Sequence, residues 1–273
     1  MSTLDDPLDD FDARTYSFAE SSKRVYVSGA GPAVIVMAEM PGISPHVARF
    51  ARWVRQAGFT AYLPSLFGTD GAWPQAEAGL GVLRRACISA EFHALAGRGA
   101  SPVTAWLRAL ARRALEECGG VGVGAVGMCF TGNLALSMLL EPAVLAPVLA
   151  QPSLPLDDPD ALESDTAELA AVRNRLERED LTVLAYRFEG DRHCRATRFE
   201  AYRAALGPRF VGRVLPDEAA NPEPPPFFRD VVGCPHSVLT AHLIDGEGQP
   251  TAQARDEVLA FLRQRLHQGE HAQ

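Results

Sequence analysis

No stretch of this sequence stays apolar for long enough to cross a membrane; the best candidate, around Val121–Ala150, is broken by Glu141, Pro142 and Pro147. Positive charge is in deficit as well. Against 34 Asp and Glu stand 26 Lys and Arg, a formal charge of −8, and no basic run or aromatic–basic motif offers a surface for nucleic acid. The opening residues, MSTLDDPLDDFDAR, are acidic where an export signal is basic and then apolar. The cysteines Cys87, Cys118, Cys129, Cys194 and Cys234 are odd in number and scattered, which disfavours a disulfide framework and suits free thiols in a reducing cytoplasm. Internal repeats and clear linkers are also lacking. What is present, 47% hydrophobic and 22% charged residues, is ordinary for a globular enzyme.

Strand and helix signals alternate along the chain. Arg24–Ser28 reads as a short edge strand, and AVIVMA (Ala33–Ala38) as a buried one ending at Glu39-Met40-Pro41-Gly42. Ser44-Pro45 opens a helix that carries Val47, Phe50, Ala51 and Val54 on one face. Phe59–Leu63 is the next strand, and Pro64–Gly79 a Gly- and Pro-rich loop. Ser101-Pro102 opens a helix with Trp106, Leu107, Leu110 and Leu115 at helical spacing. Later strands are expected near Leu145–Ala150, Leu181–Phe188 and Phe210–Leu215, with helices over Ala196–Leu206 and Ala252–Leu266. An acidic helical insertion is expected over about 152–180, and a Pro-rich loop over 216–235. The alternation predicts an α/β domain with a mostly parallel central sheet flanked by helices.

The organising stretch is Gly120–Leu140, GVGVGAVGMCFTGNLALSMLL. Its start is a buried parallel strand and its end an apolar helix, with Gly127-Met128-Cys129-Phe130-Thr131-Gly132 between them. A turn this sharp strains its middle residue and lifts that side chain above the sheet. That residue is Cys129, with a helix N-terminus beneath it to favour thiolate. It reads as a nucleophile, although a lone G-x-C-x-x-G also fits a buried cysteine between small residues.

Ligands in open α/β sheets bind beyond the carboxyl ends of the strands. Glu39, Cys129, Asp191 and His236 all fall at or just past such ends. Their order supplies a nucleophile, then an acid, then a base; His236 would pair with the thiol, and Asp191 would fix the imidazole tautomer. Glu189 is a rival for the acid, and His193 and His242 for the base. The backbone N–H groups of Phe130 and Met40 are placed to form an oxyanion hole. Zinc could engage Asp191, His193, Cys194, Cys234 and His236, but without a C-x-x-C or H-x-x-x-H pair their spacing matches no usual zinc pattern, and no metal is expected.

These residues resemble the dienelactone hydrolase family, α/β-hydrolases with cysteine in place of serine. The likeness runs over roughly Val25–Leu266. It is most specific in GMCFTG, against the family's G-x-C-x-G-G, and in VIVMAEMPG followed by a helix and GFTAYLPSLFG. GD at Asp191 and PHS around His236 are weaker parts. The resemblance implies the α/β-hydrolase fold in a single domain over 21–273, after a flexible acidic segment over 1–20. It implies Cys129 as nucleophile, Asp191 and His236 completing the triad, and a Glu39 that substrate binding displaces so that it can help to generate the thiolate. A cofactor-free hydrolase of a small-molecule ester or lactone is expected, a cytoplasmic monomer or homodimer. A lactone- or ring-forming cyclase or isomerase on the same scaffold, and a catalytically inactive ligand-binding protein, are the alternatives.

Three features depart from the family. Thr131 stands where glycine is frequent. The insertion and the Pro-rich loop are long. No arginine follows His236 where the family holds a substrate carboxylate; Thr240 offers only a hydroxyl. A neutral or larger apolar substrate is therefore expected, with Arg84, Arg85 or Arg98 able to compensate. Phe227 and Phe228 are expected to wall the site, with Thr240 and Arg98 as further substrate contacts.

Overall fold

The computed structural model describes residues 4–89, 91–92, 101–158 and 160–267, so Arg98 lies outside the described residues. Among the described residues eight strands are formed: β1 (Asp12–Phe18), β2 (Ser21–Gly29), β3 (Ala33–Met37), β4 (Thr60–Pro64), β5 (Val123–Met128), β6 (Val144–Ala150), β7 (Val183–Phe188) and β8 (Phe210–Leu215). They make one sheet in the order β1-β2-β4-β3-β5-β6-β7-β8. β1 pairs antiparallel with β2, and β2 antiparallel with β4; the remaining pairs are parallel. The helices are α1 (Pro45–Gln56), α2 (Ala76–Ile88), α3 (Pro102–Cys118), α4 (Gly132–Ser137), α5 (Thr166–Arg178), α6 (Ala196–Leu206) and α7 (Pro250–Leu266).

Period-2 alternation sorts the central strands between two cores. Ala33, Ile35 and Met37 of β3 pack with α3 to α6, while Val34 and Val36 face α1 and α7. β5 and β7 divide in the same way, so the middle of the sheet is covered on both faces and needs continuous apolar runs. Helix starts follow local chemistry. Ser44 Oγ accepts from Val47 N–H at 3.3 Å, and Ser101 Oγ from Thr104 N–H at 3.3 Å, each with proline in the next position. Among the described residues no helix is long and apolar enough to cross a membrane.

Several elements differ from expectation. Residues 12–18, placed in a loose lead-in, form edge strand β1, which buries little besides Tyr16 and so carries almost no hydrophobic signal. The loop expected over 64–79 gives way at Ala76 to α2. The described residues of the insertion are irregular over 152–158 and 160–165 and helical only in α5. The Pro-rich loop holds two short helical turns, Asp217–Ala219 and Phe227–Val232.

Candidate active site

The turn from β5 into α4 puts Cys129 at φ 53°, a left-handed conformation that is costly for a residue with a Cβ. What forces it is the close approach of the two arms. A Cβ on Gly127 would lie 2.3 Å from Thr131 O across the turn; one on Gly132 would lie 2.7 Å from Pro152 Cα, where the segment after β6 packs against the elbow. Thr131, the departure from the glycine pattern, braces this turn. Its buried hydroxyl accepts from Met128 N–H at 2.9 Å and faces the carbonyls of Met37, Ala38 and Met128 at 3.0–3.2 Å. The strained cysteine is thereby tied to the end of β3, where Glu39 and Met40 follow.

Asp191, after β7, and His236, at the end of the Pro-rich loop, meet below the surface. His236 Nδ1 lies 2.8 Å from Asp191 Oδ2, and both side chains are almost wholly buried. The other carboxylate oxygen accepts from the backbone N–H groups of His193 at 2.9 Å and Cys194 at 3.1 Å. Burial alone would raise the Asp191 carboxyl, but the His236 charge, that hydrogen bond and the two amides hold it below the usual range. Burial would likewise lower His236. The charges of Asp191 and Cys129, and hydrogen bonds to both, outweigh it and keep the imidazole well above its usual value. His236 thus sits between the carboxylate and the Cys129 thiol, which is half-buried. Its rivals are elsewhere engaged. His193 Nε2 lies 3.1 Å from Val232 O, with its ring edge-on to His236 at 5.5 Å. His242 Nδ1 accepts from Ser237 N–H at 3.1 Å, and burial pushes this imidazole down to about 3.

Glu39 is buried in a cradle of donors. Ser237 Oγ donates to Oε2 at 2.5 Å, Gln151 Nε2 donates to the same oxygen at 3.2 Å, and Thr240 Oγ1 donates to Oε1. Burial raises the Glu39 carboxyl more than these donors and the His236 charge lower it. The expected role of Thr240 as a substrate contact is thereby corrected: it is fully buried and spends its hydroxyl on Glu39. Phe227 and Phe228 are corrected too. Both are 2% exposed and packed edge-to-face at 5.3 Å, with Phe228 against His242, so they belong to the core. Met40 and Phe130 flank the elbow and are buried.

Three contributors carried no sequence signal: Gln151, Ser153 and the wall they begin. Ser153 N–H donates to Cys129 O at 3.0 Å, and its Oγ donates to Gln151 O at 2.8 Å and lies 3.5 Å from His236 Nε2. Beyond it, a cavity of about 440 Å³ is lined by Cys87, Phe130, Leu154, Pro155, Leu156, Asp157 and Glu163. Arg84 and Arg85 are exposed on α2. Among the described residues no group of three or more His, Cys, Asp or Glu is gathered as metal ligands would be.

The sequence matches the model of the dienelactone hydrolase family over residues 18–171. No curated protein matches it. The fold is shared with the dienelactone hydrolase from Anabaena variabilis ATCC 29413, at 15% identity and a TM-score of 0.58, over 94% of this chain and 98% of that one. A dienelactone hydrolase-like promiscuous phosphotriesterase from metagenomic libraries superposes with a TM-score of 0.60 at 15% identity, over 94% and 99% of the two chains. A soluble variant of the monoglyceride lipase from Saccharomyces cerevisiae does so at 0.59 and 10% identity, over 97% and 99%.

Proposed function

Because this chain belongs to the dienelactone hydrolase family, we propose that it cleaves an ester or lactone through a Cys129 acyl-enzyme. The observation that carries this reading is the buried Asp191–His236 pair aimed at a cysteine held at positive φ. His236 takes the thiol proton, and the sulfur attacks the substrate carbonyl. The N–H groups of Phe130 and Met40 hold the resulting oxyanion. As the intermediate collapses, the imidazolium protonates the departing alkoxide. The neutral imidazole then deprotonates a water, which attacks the thioester; the carboxylic acid leaves and the sulfur regains its starting state. Asp191 keeps Nδ1 protonated, so that Nε2 is the atom that exchanges protons.

Glu39 acts on this cycle electrostatically. It faces His236 and is bonded to Ser237, the next residue, so its charge state and the placement of the base are coupled. The mostly apolar cavity beside Phe130, with Asp157 and Glu163 as its charged lining, favours a neutral substrate over a carboxylated one. Rapid mixing with p-nitrophenyl acetate tests the reading. A burst of nitrophenolate with an acyl adduct on the Cys129 peptide is expected, and both vanish in C129A. Turnover that survives in C129A overturns it.

A further inference from the structure

Arg198, in α6, is wholly buried, yet none of its hydrogen bonds goes to a carboxylate. Its five N–H donors instead reach five backbone carbonyls. Nε donates to Ala161 O at 2.9 Å. Nη1 donates to Pro152 O at 3.0 Å and His193 O at 3.2 Å. Nη2 donates to Pro155 O at 2.8 Å and Asp158 O at 2.6 Å. Four of these acceptors lie between β6 and α5, in a stretch whose described residues belong to no strand or helix and which Asn133 also holds at Leu154. That segment holds Ser153, against Cys129 and His236, and then Leu154 to Asp157, which wall the cavity. The fifth acceptor belongs to His193, whose N–H supports Asp191. A planar fork of five fixed donors matches this array, whereas an ammonium radiates three donors from a single point.

We propose that Arg198 is the positioning residue that fixes the substrate wall, residues 152–158, relative to Cys129 and His236. It touches no reacting atom; it acts through the carbonyls on either side of Ser153 and Leu154. The proposal rests on the hydrolase reading only for its substrate, not for its geometry. Loss of the array loosens the apolar wall, so a substrate that fills the cavity suffers and one too small to reach it does not.

The test is the ratio of kcat/KM for p-nitrophenyl hexanoate to that for the acetate, a ratio unaffected by the fraction of protein that is folded. In R198K the ratio falls roughly tenfold through the KM of the hexanoate, while kcat for acetate stays within about threefold. Methylguanidinium added to R198A restores the ratio. The rates at which N-cyclohexylmaleimide and N-methylmaleimide alkylate Cys129, followed on its own peptide, give a second ratio that needs no hydrolysis; it falls in the same direction. A wild-type protein that cleaves neither ester defeats the hydrolase reading and leaves the alkylation ratio to decide on Arg198. A ratio in R198K within about twofold of wild type, or equal losses on small and large reagents, overturns the proposal.

Discussion

Replacing Thr131 by valine keeps the shape of the side chain and removes the one hydroxyl that joins the elbow to β3. In the native protein that oxygen satisfies the buried Met128 N–H and bonds back toward the ends of β3 and β5. Valine leaves the N–H unpaired in a site with no exposure, at a cost of about 2 kcal/mol. For a chain of this size each kcal/mol shifts the melting temperature by roughly 3 °C, so T131V should melt about 6 °C below wild type. The elbow also loses what holds Cys129 beside His236, and small misplacements of a nucleophile cost on the order of 10²-fold in rate. T131S retains the hydroxyl and loses a buried methyl worth about 0.8 kcal/mol, so it should stay close to wild type in activity. Differential scanning fluorimetry and p-nitrophenyl acetate turnover read the two effects separately. A valine variant with wild-type melting refutes the brace; one that melts early but turns over normally shows that the elbow keeps its geometry without it.

Stability should also report on the Asp191–His236 pair. The raised imidazole contributes stability that is complete below its ordinary value of 6.5 and is lost as pH rises through its folded value, while the lowered Asp191 contributes above 3.8 and loses its share as pH falls through its own. The gap in melting temperature between wild type and H236Q should therefore narrow as pH climbs from about 6.5 into the alkaline range; a constant gap refutes the pairing. Iodoacetamide should modify Cys129 before Cys194 and Cys87, because Cys194 is fully buried and burial pushes both of the other thiols up; peptide mapping that finds Cys194 first contradicts this. F228A should cost about 3–5 kcal/mol in urea unfolding. If instead it raises KM for bulky esters at unchanged stability, the ring lines the site after all.

The parts legible in the sequence were those where a local rule and the tertiary structure agree. AVIVM and VGAVGM are apolar throughout, and LTVLAYRF is so but for Thr182 and Arg187, because both faces of the middle of the sheet are covered; the elbow shows itself through small residues around Cys129. Elsewhere a local rule misled. Gly79 reads as a loop residue, yet it lies inside α2, where a Cβ would come within 2.3 Å of Phe227. The glycine is there because a ring passes over it, and that same contact takes Phe227 out of the site and into the core. The family pattern puts Thr240 at a substrate position, whereas its hydroxyl is claimed by a glutamate 201 residues earlier. Gln151 and Ser153 follow an ordinary strand, and their part in the site appears only once β6 lies between β5 and β7. Arg198 resembles any helix arginine until the carbonyls around it are seen.

The cradle around Glu39 bears on the order in which this molecule comes into being. Its donors lie 112, 198 and 201 residues downstream of the carboxylate they satisfy. Contacts that distant in sequence close late, since the intervening chain must first give up its freedom. On a ribosome, β3 and the elbow emerge well before the segment that carries His236, Ser237 and Thr240. Until that segment docks, Cys129 has no imidazole beside it. The carboxylate at the end of β3, meanwhile, resists burial for want of donors. Closure of the last loop satisfies Glu39 and delivers His236 in one event, so the base we propose for Cys129 arrives only when the rest of the chain is already in place.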